Sequence, residues 1–297
     1  MVKRVNTKEI TLLGGDARMA WLAVRLQERG YRVRLAALVP PPELQNSLPK
    51  TEAADAVLQE AQTVVFAIPT YDKEGYLRTP SVPEKYTWGG CISRLAAGTL
   101  VFAGDITPEM QKIAECYQIR TVDLLNRPEL AELSAIATAE GAVAIAMKEM
   151  SATLFGAECM VVGYGRCGSA LARRLGALGA KVIATARRKE QLARIYADGF
   201  TPWPTERLLE KLPGCEVVFN TVPAPVLGQA ELERLDRGAV VIDLASEPGG
   251  IDRTAAESLG VPWIQALGLP GKVAPRTAGE HLQQVICDLL EEKEDTI

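Results

Sequence analysis

The sequence contains a single histidine, His281, and its six cysteines form no C-x-x-C pair or other zinc-binding spacing. One histidine is too few for a histidine-ligated metal site or for catalysis that needs two imidazoles, so we expect no bound metal. The N-terminus has no signal-peptide pattern. Scattered cysteines without such a signal are typical of free thiols in the reducing cytoplasm.

An excess of basic charge is also missing. The formal net charge is −4 and the isoelectric point is near 5.4, which argues against nucleic acid or an anionic membrane surface as the main partner. The most apolar stretch, Leu133–Met147, carries Glu140 in its middle and is too short to span a bilayer. The composition, 47% apolar and 24% charged, is that of a globular protein. A length of 297 residues predicts about two domains.

Short β-rich runs alternate with helical patterns along the chain, which is typical of an α/β fold with parallel sheets. We therefore predict two doubly wound parallel-sheet domains, of which the C-terminal one is a Rossmann dinucleotide-binding domain. A long helix over Pro128–Leu154, with an interruption expected near Gly141, links them. The predicted strands are Ile10–Leu13, Arg32–Leu38, Thr63–Ile68, Leu100–Ala103, Ile119–Val122, Cys159–Val162, Lys181–Ala184, Glu216–Asn220, Ala239–Asp243 and Trp263–Gln265.

The domain boundaries follow from this pattern. Residues 1–130 form the predicted N-terminal α/β domain on the substrate side, and residues 131–277 hold the linker helix and the Rossmann domain. A helix over Ala278–Glu292 lies in the last segment, 278–297, which we expect to pack back onto the first domain. That expectation rests on analogy with two-domain dehydrogenases, whose chains cross over twice.

The most specific motif is a glycine-rich loop, Gly163-Tyr164-Gly165-Arg166-Cys167-Gly168, between a predicted strand and a predicted helix. In a dinucleotide-binding turn the first glycine permits the tight turn, and the second lets the backbone approach a pyrophosphate. The third lets helix and strand pack closely. Backbone N–H groups and the helix dipole then hold the phosphates. We assign all six residues to the cofactor site; the alternative is a tight turn that binds nothing.

The end of the next strand favours NADP over NAD. An NAD site usually has an acidic residue about 20 residues after the glycine loop, where it binds the ribose 2′-hydroxyl. Here Thr185, Arg187 and Arg188 stand at the strand end, and the first acid is Glu190. A guanidinium suits a 2′-phosphate, so we assign both arginines to that group and Thr185 to a further hydroxyl contact. The alternative is that both arginines are ordinary solvated charges.

Three further strand ends in the second half carry polar or glycine-rich loops. Ligands of an open parallel sheet lie outside the carboxyl ends of its strands, so we expect these loops near the nicotinamide position. The cofactor residues assigned there are Asn220, Thr221, Val222, Pro223, Asp243, Leu244, Ala245, Leu269, Pro270 and Gly271.

The first domain has a related loop, Gly14-Gly15-Asp16-Ala17-Arg18, after its first strand. It lacks the third glycine of the fingerprint, so we expect no second dinucleotide there. Gly14 and Gly15 are candidates for an anion-binding nest with Arg18 as its charged partner. The alternative is a simple strand-to-helix turn with a surface arginine. Thr70, at the end of another strand, is a further candidate for the substrate site.

Few side chains are suited to proton transfer. Glu140 is a carboxylate within an otherwise apolar helical stretch, and a buried carboxylate with a raised pKa is a candidate general base. The alternative is an exposed helix acid. His281 lies in the predicted C-terminal helix, where a structural role is favoured over a catalytic one. The loop after the last strand contains no histidine, which argues against the 2-hydroxyacid dehydrogenases and their histidine proton donor.

Five sequence blocks occur in order: Gly14–Arg18, Thr138–Gly141, Gly163–Gly168, Asp243–Gly250 and Gly268–Gly279. With them the chain resembles, over essentially its whole length, the A-subunit family of dipicolinate synthase from endospore-forming bacteria. The resemblance implies an NADP-dependent oxidation of 4-hydroxy-tetrahydrodipicolinate, or of the dihydrodipicolinate formed by loss of water, to dipicolinate. It also implies a flavoprotein-like B-subunit, hence an oligomer, and a place in the cytoplasm of the mother cell during sporulation.

The substrate implied by this resemblance carries two carboxylates, which cationic side chains of the blocks would bind. The residues assigned to the substrate are Arg18, Thr70, Thr138, Lys272 and Arg276, and the candidate catalytic residues are Glu140, Asp16 and Lys272. Two other interpretations stay open. In the first, the chain is another NADP-linked dehydrogenase that acts on a small carboxylate. In the second, it is a non-catalytic nucleotide-binding scaffold for a catalytic partner.

Overall fold

The structure, a computed structural model, describes residues 9–294. The described chain divides into two compact units, residues 9–133 with 274–294 and residues 134–273. This division places residues 131–133 and 274–277 in the first unit, whereas the sequence pattern assigns them to the second. The last three residues of the predicted segment 278–297 lie outside the described residues.

The first unit is built on a six-stranded sheet. Its strands are β1 (Glu9–Leu13), β2 (Arg32–Ala36), β3 (Thr51–Glu52), β4 (Thr63–Phe66), β5 (Leu100–Ala103) and β6 (Arg120–Asp123). All neighbouring strands run parallel, in the order β3-β2-β1-β4-β5-β6. Its first helices are α1 (Ala17–Glu28), α2 (Ala54–Glu60), α3 (Trp88–Ile92) and α4 (Pro108–Cys116), with a 3₁₀ turn over Pro42–Leu44.

Helix α5 (Pro128–Glu149) leads into the second unit, which contains β7 (Glu158–Val162), β8 (Lys181–Ala186), β9 (Thr201–Pro204), β10 (Val217–Asn220), β11 (Val240–Asp243) and β12 (Trp263–Gln265). These strands are again parallel, in the order β12-β11-β10-β7-β8-β9. The remaining helices are α6 (Arg166–Ala177), α7 (Lys189–Ala197), α8 (Gln229–Leu232), α9 (Arg253–Leu259), α10 (Leu269–Val273) and α11 (Pro275–Glu294), with a 3₁₀ segment over Thr205–Glu210.

Counted from the first strand of each unit, the two strand orders are the same. This order is the doubly wound arrangement of dinucleotide-binding domains, in which the chain starts at the centre of the sheet and fills each side in turn. The prediction of two doubly wound parallel sheets is confirmed.

The sequence pattern missed two edge strands, β3 and β9. Strand β3 has only two residues, Thr51 and Glu52, and both are exposed. Strand β9 reads Thr-Pro-Trp-Pro, and proline, which has no N–H to donate, is tolerated only at the edge of a sheet. Neither segment carries the alternation or the apolar run by which a strand is recognised.

Helix α5 is continuous through Gly141, so the expected interruption is wrong. A Cβ at this glycine would lie 3.2 Å from the side chain of Leu269. Glycine is therefore a packing residue here, because it lets the start of α10 approach α5 closely within the second unit. The helix ends at Glu149 rather than at Leu154.

The length argument against a membrane span is also wrong, because α5 extends beyond the apolar stretch at both ends. Its 22 residues have the length and apolar composition of a membrane-crossing helix. However, core helices of globular proteins pass the same test. Ala139, Ala142 and Ala146 of α5 are completely buried in the apolar core of the second unit, as a core helix requires.

Helix α11 packs along α1 within the first unit. The two helices share one buried apolar cluster, whose members include Leu22, Leu26, Leu282, Val285 and Ile286. Gly279 marks their closest approach, since a Cβ there would lie 2.7 Å from the Leu22 nitrogen and 2.8 Å from the Arg18 carbonyl oxygen. The α1–α11 contact therefore depends on a residue without a side chain.

We expect Gly279→Ala to destabilise the protein by about 1–3 kcal/mol, because the added methyl group meets backbone atoms and forces the two helices apart. Gly89→Ala is the matched control, because nothing lies within 4 Å of the Cβ position at Gly89 in α3. Urea unfolding followed by circular dichroism measures both variants. An unchanged midpoint for Gly279→Ala would contradict the close packing described above.

Candidate functional site

The glycine-rich turn after β7 is built on a backbone contact that excludes side chains. Gly163 has a φ of +94°, a conformation that favours glycine. A Cβ at Gly168 would lie 2.1 Å from the Gly163 carbonyl oxygen, and a Cβ at Gly163 would lie 2.6 Å from Thr221 Oγ1. Glycine at both positions thus lets the start of α6 pack directly against the end of β7.

Gly165, between them, faces open space. It is the N-cap residue of the 12-residue helix α6, it is exposed, and no atom lies within 4 Å of its Cβ position. The first N–H groups of a helix lack intrahelical acceptors, and the helix dipole adds positive potential there. An open glycine at the N-terminus of a long helix fits the pyrophosphate of a dinucleotide. Arg166 and Cys167 form the first helical turn at this opening.

The assigned Thr185 holds the loop rather than facing outward. It is completely buried, and its hydroxyl accepts a hydrogen bond from the Gly163 N–H at 3.3 Å. Thr205 Oγ1 lies 3.3 Å from the same hydroxyl. The direct hydroxyl contact with a cofactor that we expected is therefore replaced by a contact that positions the glycine turn.

A second buried polar pair braces the loops after β10 and β11. The Asn220 amide donates to Asp243 Oδ1 at 2.8 Å, and both side chains are buried. Asn220 also accepts from the Val222 N–H at 3.0 Å, and Asp243 accepts from the backbone N–H groups of Ala245 and Gly250. Buried polar groups need such partners, so Asn220 and Asp243 set the path of their loops.

The other assigned residues of these loops differ in exposure. Thr221 donates its hydroxyl hydrogen to the Val162 carbonyl at 2.9 Å. Leu269 is buried against Gly141 and belongs to the core rather than to an open surface. Pro223 is exposed, Ala245 is buried, and the partly exposed residues are Val222, Leu244, Pro270 and Gly271.

Tyr164, a residue of the same turn, is anchored by its side chain. Its buried phenol donates to Asp198 Oδ2 at 2.6 Å, and Arg173 pairs with the same carboxylate at 3.2 Å. Burial, together with the hydrogen bond to this negative charge, raises the pKa of the Tyr164 phenol. Sequence reasoning missed Asp198, because nothing local links it to a residue 34 positions away.

Arg187 and Arg188 follow β8 and are exposed. Arg188 is the N-cap residue of α7, and its Nε donates to Gln191 Oε1 at 3.4 Å. No carboxylate stands at the end of β8, because Glu190 already lies in the first turn of α7. The end of β8 is therefore cationic.

The glycines of the first unit do not form an anion-binding nest. The Gly14 N–H donates to the Ala36 carbonyl at 2.9 Å, and the Gly15 N–H donates to the Arg78 carbonyl at 2.7 Å. A Cβ at Gly14 would lie 2.6 Å from that Arg78 oxygen. The nest expectation is wrong, because a loop of the protein itself occupies the position that an anion would take.

Asp16 and Arg18 form a two-pronged ion pair at the start of α1. Arg18 Nε and Nη2 donate to the two oxygens of Asp16 at 2.9 and 2.8 Å, and the Arg18 side chain is only 9% exposed. Burial alone would raise the pKa of Asp16. Hydrogen bonds and the charge of Arg18, with that of Arg78, instead hold this pKa below its usual value. Asp16 is therefore a weaker base than an unpaired aspartate.

Thr70 is buried within the first unit rather than exposed on its surface. It is completely buried, its hydroxyl donates to the Ala67 carbonyl at 3.1 Å, and it accepts from the Gly104 N–H at 2.8 Å. This arrangement joins the segments after β4 and β5. It does not support the direct substrate contact that we assigned to Thr70.

Glu140 does not occupy the apolar environment that its sequence neighbours suggest. Its side chain is 59% exposed, and Oε1 accepts from Arg174 at 3.1 Å. The premise of a buried carboxylate is therefore wrong. Thr138, two residues earlier, donates its hydroxyl hydrogen to the Ser134 carbonyl at 2.9 Å.

The remaining assigned cations belong to different units. Lys272 is exposed on α10 of the second unit. Arg276 is exposed at the start of α11 in the first unit, where it donates to Glu280 at 3.2 Å and lies 5.6 Å from the centre of the Trp21 ring.

Comparison with known families agrees with this division of the chain. Residues 9–125 match the family model described as the N-terminal domain of the dipicolinate synthase A-subunit. Residues 131–252 match the family model of the D-isomer specific 2-hydroxyacid dehydrogenase NAD binding domain.

Individual relatives extend the match over nearly the whole chain. The dipicolinate synthase A-subunit of Bacillus subtilis (strain 168) is 31% identical over 285 residues, which cover 96% of this chain and 96% of that protein. The crystal structure of the dipicolinate synthase A-subunit from Bacillus halodurans is 30% identical with a TM-score of 0.86, covering 96% of this chain and 98% of that one. A transhydrogenase from Sinorhizobium meliloti shares the fold, with 19% identity, a TM-score of 0.70 and coverage of 95% and 94%. The chain therefore belongs to the dipicolinate synthase A-subunit family, and its second unit is a dehydrogenase-like domain for a nicotinamide dinucleotide.

Proposed function

We propose that the chain catalyses the NADP-dependent oxidation of 4-hydroxy-tetrahydrodipicolinate, or of the dihydrodipicolinate formed from it, to dipicolinate. The observation that carries the proposal is the open glycine turn at Gly163–Gly168, followed by the exposed Arg187 and Arg188, in a chain of this family. The chain works with a flavoprotein-like B-subunit in a hetero-oligomer. Its place is the mother-cell cytoplasm of sporulating bacteria.

The reaction removes one water molecule and two hydrogen atoms from the substrate. Loss of the 4-hydroxyl group with a neighbouring ring proton gives the dihydro ring, and removal of a hydride and a proton then gives the aromatic pyridine. When bound, an oxidised nicotinamide accepts the hydride. Because aromatisation is favourable, the residues of the chain have two main tasks, to orient the ring and to accept the proton.

Glu140 is the better of the two candidate proton acceptors. Both hydrogen bonds from Arg174 go to Oε1, so Oε2 has no hydrogen-bond partner within residues 9–294. Asp16 is held in its ion pair with a lowered pKa and has little basicity to offer.

The substrate assignments remain part of this proposal with altered roles for two residues. Arg18, Lys272 and Arg276 stay the assigned carboxylate-binding residues, because cationic side chains suit a dianionic substrate. Thr70 and Thr138 act by position, because the backbone already engages their hydroxyl groups.

The decisive assay uses freshly generated 4-hydroxy-tetrahydrodipicolinate with NADP⁺ or NAD⁺, with and without the flavoprotein-like partner. We expect dipicolinate and NADPH to appear together only when this chain is present. If dipicolinate forms at the same rate with the partner alone and no reduced nicotinamide appears, the chain is a scaffold instead.

The same assay tests Glu140 as the proton acceptor. Glu140→Gln should lower kcat by about 100-fold or more, as for loss of a general base.

Cofactor choice is tested at the end of β8. Replacing Arg187 and Arg188 together by Gln should raise the KM for NADP⁺ by about 10- to 100-fold, because two charge-assisted contacts to the 2′-phosphate are lost. The KM for NAD⁺, which lacks that phosphate, should stay the same. Arg194→Gln is the matched control, an exposed arginine near the end of α7. Equal changes for both cofactors would contradict the NADP assignment.

The open glycine is tested by adding one methyl group. Gly165→Ala should weaken NADPH binding by about tenfold or more, because the methyl occupies the space through which the pyrophosphate approaches the backbone. Its melting temperature should change little, because nothing lies within 4 Å of that Cβ position. Gly228→Ala is the matched control at the N-cap of α8, where only the flexible Glu231 carboxylate lies near, at 3.3 Å. NADPH fluorescence titration measures the NADPH affinity of both variants. If Gly165→Ala binds NADPH as tightly as the wild type and the Gly228→Ala control do, phosphate binding at Gly165 is excluded.

A further inference from the structure

Three charged side chains meet at the start of α1 in the first unit. Arg18 makes the two-pronged ion pair with Asp16 described above, and Arg78 Nη2 lies 3.7 Å from Asp16 Oδ2. Two guanidinium groups therefore share one carboxylate. The three side chains together carry a net charge of +1, so the cluster has unmatched positive charge.

The backbone holds Arg78 in place through both of its polar groups. Its N–H donates to the Thr70 carbonyl at 2.8 Å, and its carbonyl accepts from the Gly15 N–H at 2.7 Å. Thr70 is itself fixed by the Gly104 N–H. These bonds tie the segment after β4 to the turn after β1, so Arg78 lies at the carboxyl edge of the sheet, where α/β proteins bind ligands.

The two arginines differ in what they can still bind. Arg18 is almost fully buried and directs two of its donor groups to Asp16. The Arg78 side chain is 33% exposed, and within residues 9–294 its guanidinium donates no hydrogen bond, since 3.7 Å exceeds hydrogen-bond length. Arg78 therefore presents an unused planar fork, and such a fork matches a carboxylate.

We propose that Arg78 is a further residue of the first unit that binds one carboxylate of the substrate, with Asp16 as the positioning residue that orients it. This inference rests on the proposed function, because it takes the dianionic substrate from there. Asp16 draws the Arg78 guanidinium towards Arg18 and compensates the buried charge of Arg18. A substrate carboxylate then supplies the second negative charge that the two arginines lack.

The test compares two ligands that differ by one carboxylate. Dipicolinate has two and pyridine-2-carboxylate has one, and calorimetry of the full chain with saturating NADP⁺ measures the affinity of each. We expect Arg78→Gln to weaken dipicolinate binding by about 10- to 100-fold, the loss expected for a charged hydrogen bond. Pyridine-2-carboxylate should be affected much less, because it can use the remaining carboxylate contact. The wild-type preference for dipicolinate should therefore nearly vanish in the variant.

Two controls separate this effect from loss of charge or of structure. Lys85→Gln removes the same charge from the same loop, where Lys85 is half exposed and pairs with Glu74, and it should leave both affinities unchanged. Arg78→Lys keeps the charge but not the fork, so it should retain part of the preference for dipicolinate. NADP⁺ affinity should be the same in all variants, because the glycine turn lies in the other unit.

The possible results have separate meanings. If the wild-type chain binds dipicolinate and turns over substrate, but Arg78→Gln and Arg78→Lys keep the full preference for the second carboxylate, the inference alone is overturned. If the wild-type chain neither binds dipicolinate nor reduces NADP⁺, the proposed function fails and the inference fails with it.

Discussion

The carboxyl ends of parallel strands all lie on one edge of a sheet, and ligands bind at that edge. What the edge of each unit can bind therefore depends on the turn that follows the unit's first strand. In the second unit the contact between Gly168 and the Gly163 carbonyl brings α6 against β7 and leaves Gly165 open. In the first unit the N–H groups of Gly14 and Gly15 already donate to protein carbonyls. The two units share a strand order, but only the second keeps an open glycine at the start of the helix that follows its first strand.

The polar residues at the strand ends fall into two groups with different tasks. The buried ones, Thr70, Thr185, Asn220 and Asp243, have their polar atoms engaged by loop backbone or by each other. A buried polar group without such a partner would cost about 1–3 kcal/mol, so these residues fix the paths of the loops. Among the arginines proposed to bind ligand, the partly exposed Arg78 is held by one of these residues, because its N–H donates to the Thr70 carbonyl. A fixed backbone keeps the cost of ordering its side chain on ligand binding low.

The sequence reveals local patterns such as turns and strands better than it reveals contacts between side chains that are distant along the chain. The glycine turn and most strands were predicted, because tight turns and buried strands have local signatures. Glu140 was misjudged because apolar sequence neighbours need not share its face of a helix: Ala139 and Ala142 are buried, whereas Glu140 meets Arg174 outside the core. Arg78 and Asp198 were missed because their partners, Asp16 and Tyr164, lie far from them along the chain.

The charged cluster of Asp16, Arg18 and Arg78 at the start of α1 shows that an ion pair within the protein can leave a neighbouring cation available to bind an anion. Without Asp16, the nearly buried Arg18 would be an uncompensated charge, which a protein interior tolerates poorly. With Asp16, one negative charge serves two guanidinium groups, and the excess positive charge falls on the more exposed of them, Arg78. The same carboxylate that stabilises the fold here thus leaves the first unit with an affinity for one further anion. Its strength depends on charge balance and fixed geometry rather than on apolar area.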